Sequence, residues 1–262
     1  MKCTICGIEG QWSFNALILN KYDVAYYRCQ TCGFLHTETP YWLKEAYSDA
    51  IVDTDTGLVM RNISTSIKLA SLLYCSFDPR GTYIDFAGGY GLLVRLMRDF
   101  GFDFYWEDKY CQNLMARGFE SSQAQPPVTA VTAFEVLEHL PDPVSFITET
   151  LNKFGTKTLI FSTELYSGEF PPPPDWWYYA RSNGQHISFF QRSTMEVMAE
   201  LLGLRYYNIH GLQVFTDQHI KNLSLSRLLT SRLSIPTALY VRRKLGSKMM
   251  SDHYRRSEHQ LK

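Results

Sequence analysis

Four cysteines stand in two matched pairs, Cys3-x-x-Cys6-Gly7 and Cys29-x-x-Cys32-Gly33. Each pair makes a tight turn that aims two thiolates at one point. The following glycine permits the left-handed backbone that such a turn uses. Two such turns complete a tetrahedral thiolate site of the kind zinc prefers. Four cysteines leave no open position for a substrate, so the expected zinc is structural. A set of free or redox-active thiols is the competing reading. A second group, Asp85-Phe86-Ala87-Gly88-Gly89-Tyr90-Gly91, has the glycines that let a backbone approach a ligand closely. A third, Glu135-Val136-Leu137-Glu138-His139, and a lone imidazole at His186 supply carboxylates and proton acceptors. Histidine, with an ordinary pKa near 6.5, takes a proton at cellular pH. Two carboxylates and two imidazoles also suit a divalent ion that lowers the pKa of a hydroxyl.

These residues need elements to position them. Ala16 to Leu19 and Val24 to Arg28 read as strands around Asn20-Lys21-Tyr22-Asp23, which with the cysteines describes a zinc ribbon over residues 1–36. Residues 37–217 alternate strand-like and helical runs. An apolar face of Leu58, Ile63, Ile67, Ala70 and Leu73 marks a helix over 58–76. Strands are expected at Tyr83–Phe86, Phe102–Trp106, Val128–Phe134, Thr158–Ser162, Arg205–His210 and Gln213–Phe215. Helices are expected at Gly91–Phe100, Gln112–Phe119, Pro143–Phe154 and 193–203. This alternation predicts an α/β fold with a doubly wound, mostly parallel sheet, and ligands then bind beyond the carboxyl ends of the strands. Residues 218–262 form a basic tail, where Leu223, Leu225, Leu228, Leu229 and Leu233 suggest an amphipathic helix interrupted by Pro236. Cys75 and Cys111 lack paired spacing and read as core residues.

The glycine-rich motif resembles the first motif of the class I S-adenosylmethionine-dependent methyltransferases, D/E-x-G-x-G-x-G. Asp85, Gly89 and Gly91 match, and Ala87 stands for the first glycine. Three further stretches follow in the family's order: Phe104-Tyr105-Trp106-Glu107-Asp108, Ala133 to Leu140, and Gly184-Gln185-His186-Ile187-Ser188-Phe189-Phe190. The resemblance covers roughly residues 55–217. It implies a seven-stranded, Rossmann-like sheet and an S-adenosylmethionine site at Asp85, Phe86, Ala87, Gly88, Gly89, Gly91, Phe134 and Glu135. Asp108 fits the position that binds the ribose hydroxyls, with Glu107 its neighbouring alternative. His186 is the first candidate base, with His139 and Glu138 beside it; a loop-ordering role for His186 is the alternative. Some relatives bind a divalent ion through the E-x-x-E-H pattern, which here is Glu135, Glu138 and His139, with His186 completing the set. The ribbon joined to this domain is similar to methyltransferases of sugar and glycan biosynthesis, which implies a small, sugar-like acceptor.

Composition bounds the alternatives. With 45% apolar residues among 262, the chain buries a real core, which excludes general disorder. The net charge is zero, but residues 221–262 carry ten basic and two acidic side chains, leaving −8 on the rest. The ribbon has only Lys2, Lys21 and Arg28 as basic residues, which argues against a nucleic-acid partner. An RNA methyltransferase and a non-catalytic binding module with the same fold remain the alternatives. The basic tail would steer an anionic substrate, dock on an anionic membrane or protein, or lie solvated. No run is apolar enough for a membrane span, and Met-Lys-Cys-Thr-Ile-Cys lacks a signal's apolar stretch, so the expected location is the cytoplasm.

Overall fold

A computed structural model describes residues 1–47 and 55–260. A first sheet is begun by β1 (Gln11–Ile18), β2 (Tyr22–Arg28) and β3 (Leu35–Thr37), followed by a short helix α1 (Leu43–Ala46). The central layer then alternates: α2 (Leu58–Ser76), β4 (Thr82–Phe86), α3 (Leu92–Asp99), β5 (Asp103–Glu107), β6 (Val128–Phe134), α4 (Pro143–Phe154) and β7 (Leu159–Ser162). The chain continues through β8 (Ser188–Phe189), α5 (Arg192–Leu201), β9 (Arg205–Ile209) and β10 (Leu212–Thr216). Helices α6 (Leu223–Thr230), α7 (Ser234–Leu245) and α8 (Met249–Gln260) complete it.

The central sheet has the order β5-β4-β6-β7-β10-β9. Its first four strands are parallel, and β10 runs antiparallel to both of its neighbours, β7 and β9. Successive side chains go to opposite faces, as a period of two requires. Tyr83, Ala130, Ile160 and Val214 meet α2, α3 and α7 on one face. Ile84, Val131, Phe161 and Phe215 meet α4 and α5 on the other. Burial on both faces is why these strands read as continuous apolar runs. Helix α4 is bounded by local chemistry: Asp142 accepts from Ser145 N at 3.0 Å, Pro143 opens the first turn, and Gly155 ends it at φ +62°.

Several expectations change. The described central sheet has six strands, not seven: β8, which follows β7, instead pairs with β3 in a small sheet of order β1-β2-β3-β8. Gln112–Phe119 is not a helix, because side chains there satisfy backbone donors locally. Asn113 Oδ1 accepts from Ala116 N, and Asp108 Oδ1 accepts from Tyr110 N and Cys111 N. The tail helix is interrupted just before Pro236: α6 ends at Thr230, and Pro236 sits in the first turn of α7, where its missing N–H costs nothing. Cys75 is exposed and Cys111 half-buried, so neither is a core residue. Among the described residues, no helix is long and apolar enough to cross a membrane.

Candidate active site

A cleft of about 530 Å³ opens at the carboxyl ends of β4, β5, β6 and β7. Its floor is the turn from β4 to α3. Ala87 and Gly89 both adopt left-handed backbone, at φ +57° and +53°. Glycine enters that region freely and alanine does so under strain, which explains the glycine in the resembling motif. A Cβ on Gly88 would lie 2.7 Å from Asp85 Oδ2, so the turn admits no side chain there. Asp85 is buried and accepts from Thr132 Oγ1 at 2.7 Å. Burial raises its pKa to about 7, against the hydrogen bond from Thr132; the Asp108 charge adds to the rise.

Asp108 stands beside this turn and closes it. Its Oδ2 accepts from Gly89 N at 2.9 Å, and its Oδ1 from Tyr110 N at 2.7 Å and Cys111 N at 2.8 Å. Glu107, its neighbouring alternative, is not in the cleft wall: it binds Ser121 Oγ and Lys153 Nζ. Phe134 and Glu135 line the cleft, and Glu135 is fastened to Ser162 Oγ. Phe86 lies outside the wall, stacked on Phe146 at 5.6 Å. Gly91 lies outside it too and starts α3 at φ +84°.

The opposite wall holds the two imidazoles, whose ring centroids are 4.8 Å apart. His139 sits on a 3-10 turn, Leu137–His139, and its Nδ1 bonds Gln185 O at 3.1 Å. His186 Nδ1 bonds Tyr178 O at 2.7 Å. A carbonyl only accepts, so in both rings Nδ1 carries the hydrogen and Nε2 keeps its lone pair. Burial lowers both pKa values, that of His139 to about 3 with His186 adding to the fall. Both rings are therefore neutral near pH 7. Glu138 lies behind them, fully buried and outside the wall, with Oε1 accepting from Tyr178 OH at 2.7 Å and Oε2 unpartnered. Burial and the Glu135 charge raise its pKa to about 8. Ligand atoms of Glu138, His139 and His186 lie within 4.8 Å of one another; Glu135 is not in that group.

This wall is held by the N-terminal segment. Trp42 Nε1 donates to Gly184 O at 2.9 Å, Gln185 Nε2 to Ala46 O at 2.8 Å, and Thr37 N to Ile187 O at 3.0 Å. Strand β3 pairs with β8, two residues beyond His186. Within that segment the four cysteine sulfurs converge, Cys3 to Cys32 at 3.6 Å and Cys6 to Cys29 at 3.4 Å. A zinc tetrahedron with bonds of about 2.3 Å has sulfur–sulfur edges of about 3.8 Å, so the donor set fits the ion. The sequence reading missed the cleft's third wall, Arg61, Asn62 and Thr65 on α2. Their signal was a polar stripe opposite Ile63, Ile67 and Ala70; Leu58, expected on that apolar face, lines the cleft with them instead. Of Asp175-Trp176-Trp177-Tyr178-Tyr179, Tyr178 is buried and Trp177 is 72% exposed, and both line the cleft.

A family model described as a methyltransferase domain matches residues 61–209, more than half of the chain. The chain belongs to this family. The methyltransferase domain thus spans α2 to β9 and includes the glycine turn, Asp108 and both imidazoles. No curated protein matches the sequence. Among solved structures, TnmH is 13% identical over 63% of this chain and 57% of its own, with a TM-score of 0.43. The magnesium protoporphyrin IX methyltransferase ChlM of Synechocystis PCC 6803, with bound SAH, is 13% identical over 66% and 90%, with a TM-score of 0.42. An O-methyltransferase family 2 protein of Planctomyces limnophilus DSM 3776, in complex with apigenin, is 13% identical over 65% and 63%, with a TM-score of 0.45.

Proposed function

We propose that this methyltransferase uses S-adenosylmethionine to methylate a small, sugar-like acceptor, and that a zinc ion in its N-terminal ribbon is structural. The observation that carries the reading is one cleft with a glycine-lined, carboxylate-closed turn on one side and two Nε2 acceptors on the other. The cofactor supplies an activated methyl group. The turn at Ala87, Gly88 and Gly89 admits its amino-acid part, with Asp85 beneath. A carboxylate offers about four acceptor sites, and backbone N–H groups occupy three on Asp108. One site therefore remains for a single ribose hydroxyl. His186 removes the acceptor's proton through Nε2, because its Nδ1 is held by Tyr178 O. His139, with its pKa near 3, is the weaker base and orients its neighbour. Trp177 offers an exposed ring face to the apolar side of a sugar.

A second reading of the acceptor wall rests on the unpartnered Glu138 Oε2 beside the two imidazoles. A divalent ion held by Glu138, His139 and His186 would lower the acceptor's pKa in place of the base. The test is incubation with methyl-labelled S-adenosylmethionine and a cell extract separated into small molecules and RNA. Label in a sugar-containing small molecule supports the proposal. Label in RNA alone replaces it with the RNA alternative, and cofactor binding with no label transferred replaces it with a binding module. Loss of turnover on chelation, restored by a divalent ion other than zinc, selects the second reading.

A further inference from the structure

The outward faces of α6 and α7 play no part in methyl transfer. Toward the body, α6 buries Ser226 and Thr230, and α7 buries Ala238 and Val241. The other side exposes Leu225, Leu228, Leu233, Ile235, Leu239 and Tyr240, with Ile235 at 60% and Leu239 at 59%. Single exposed apolar residues are ordinary, but six on two consecutive helices and the turn between them form a surface. Helical spacing orders it: Ile235, Leu239 and Arg242 fall on one stripe, and Pro236, Tyr240 and Arg243 on the next.

The charge on this surface has one sign. Between Asp217 and Asp252 the sequence has no acidic residue, yet it holds Lys221, Arg227, Arg232, Arg242, Arg243, Lys244 and Lys248. Among the described residues only Lys248 of these meets a carboxylate, Asp103 at 3.7 Å. The surface is also fixed in place. Asp252 accepts from Arg98 Nε and Nη2, both at 2.8 Å, and from Arg95 at 2.9 Å. Lys248 N donates to Arg98 O at 3.0 Å, and a Cβ on Gly101 would strike Gly246 O at 2.5 Å.

We propose that α6 and α7 dock the protein on an anionic lipid surface. The aliphatic side chains enter the headgroup boundary, and the Lys and Arg side chains meet the phosphates; Tyr240 packs edge-on against Tyr74 of α2 and flanks the contact. Charge complementarity selects this occupant. Seven cations with no acidic residue among them in sequence, interleaved along α7 with exposed Ile235 and Leu239, match a surface that offers anionic headgroups above an apolar layer. The body, with its net −8, is repelled by the same lipid, so the molecule sits tail-down.

The test is sedimentation of the full chain with vesicles of phosphatidylcholine mixed with phosphatidylglycerol, against vesicles of phosphatidylcholine alone. The protein sediments with the first and not the second, and added salt weakens the binding. Changing Arg242→Gln, Arg243→Gln and Lys244→Gln together lowers the affinity about a hundredfold. Ile235→Asp with Leu239→Asp lowers it about a hundredfold or more, as the loss of two such side chains predicts. Because all five positions are exposed, an unchanged thermal melt shows that each variant is folded. Absent binding, or equal binding to both vesicles, overturns the proposal. Binding that survives the two aspartates overturns the insertion of the apolar face. Self-association without lipid that the same variants abolish assigns the face to a second copy and overturns it as well.

Discussion

The two sides of the cleft are built in different ways. The side we assign to the cofactor is local: Asp85 to Gly91 and Asp108 lie at the ends of neighbouring parallel strands, and backbone N–H groups fasten Asp108 to the turn. The side we assign to the acceptor is assembled from afar. His139 follows β6, His186 precedes β8, and residues Leu35 to Ala46 hold the segment between Tyr178 and Ile187. The turn lies within the matched methyltransferase domain, whereas the opposite wall depends on residues that precede it. The two sides should therefore fail separately.

The largest expected effect separates them most cleanly. His186→Ala lowers labelled-methyl transfer about 10²- to 10⁴-fold while the heat of S-adenosylhomocysteine binding stays as it was. Equal loss of both would merge the two sides. Removing zinc with a strong chelator, or Cys29→Ser, comes next. Loss of the ribbon frees β3 from β8 and displaces His186, and a displacement of about 1 Å can cost roughly 10²-fold in turnover. Cofactor affinity, measured on the same sample, changes far less. Metal analysis of the untreated protein gives about one zinc per chain.

Asp108→Ala acts on the opposite side. It removes a charged acceptor and weakens S-adenosylhomocysteine by about 1.5–3 kcal/mol, or roughly ten- to a hundredfold. Glu138 gives a pH signature. Its folded pKa, about 8, lies above the ordinary carboxylate value of 4.5, so the folded state holds the extra proton between them. Stability therefore falls as pH rises from about 4.5 to about 8. Glu138→Gln flattens that fall in thermal melts, with the largest gain at the alkaline end. A bound divalent ion would keep Glu138 ionised and reverse the sign, making the glutamine variant the less stable protein. The smallest effect is Ala87→Gly, which relieves the left-handed alanine at φ +57° and raises stability by about 1 kcal/mol.

The same contrast decides how much could be read from residues alone. Strand Val128–Phe134 and helix Pro143–Phe154 stand where the apolar runs and the Asp142–Gly155 punctuation put them, since burial and capping leave marks in the sequence. The turn at Gly88 and Gly89 was legible for the same reason. The Gln112–Phe119 stretch was not: its apolar spacing suits a helix, but Asn113 and Asp108 capture the backbone donors first. The pairing of β3 with β8 and the Tyr178–Glu138 bond join residues far apart in the chain, and no local pattern announces them. His186 was marked by resemblance, but its tautomer and its place 4.8 Å from His139 came only from the fold.

One measurement tests the central claim most directly: titration calorimetry of S-adenosylhomocysteine into the zinc-loaded protein, its Asp108→Ala variant and its His186→Ala variant. Saturable heat in the first, heat weakened at least tenfold in the second and heat unchanged in the third is the expected result. No heat in the unaltered protein at high concentration would contradict the assignment of the cleft to this cofactor, and equal heat in all three would remove Asp108 from it.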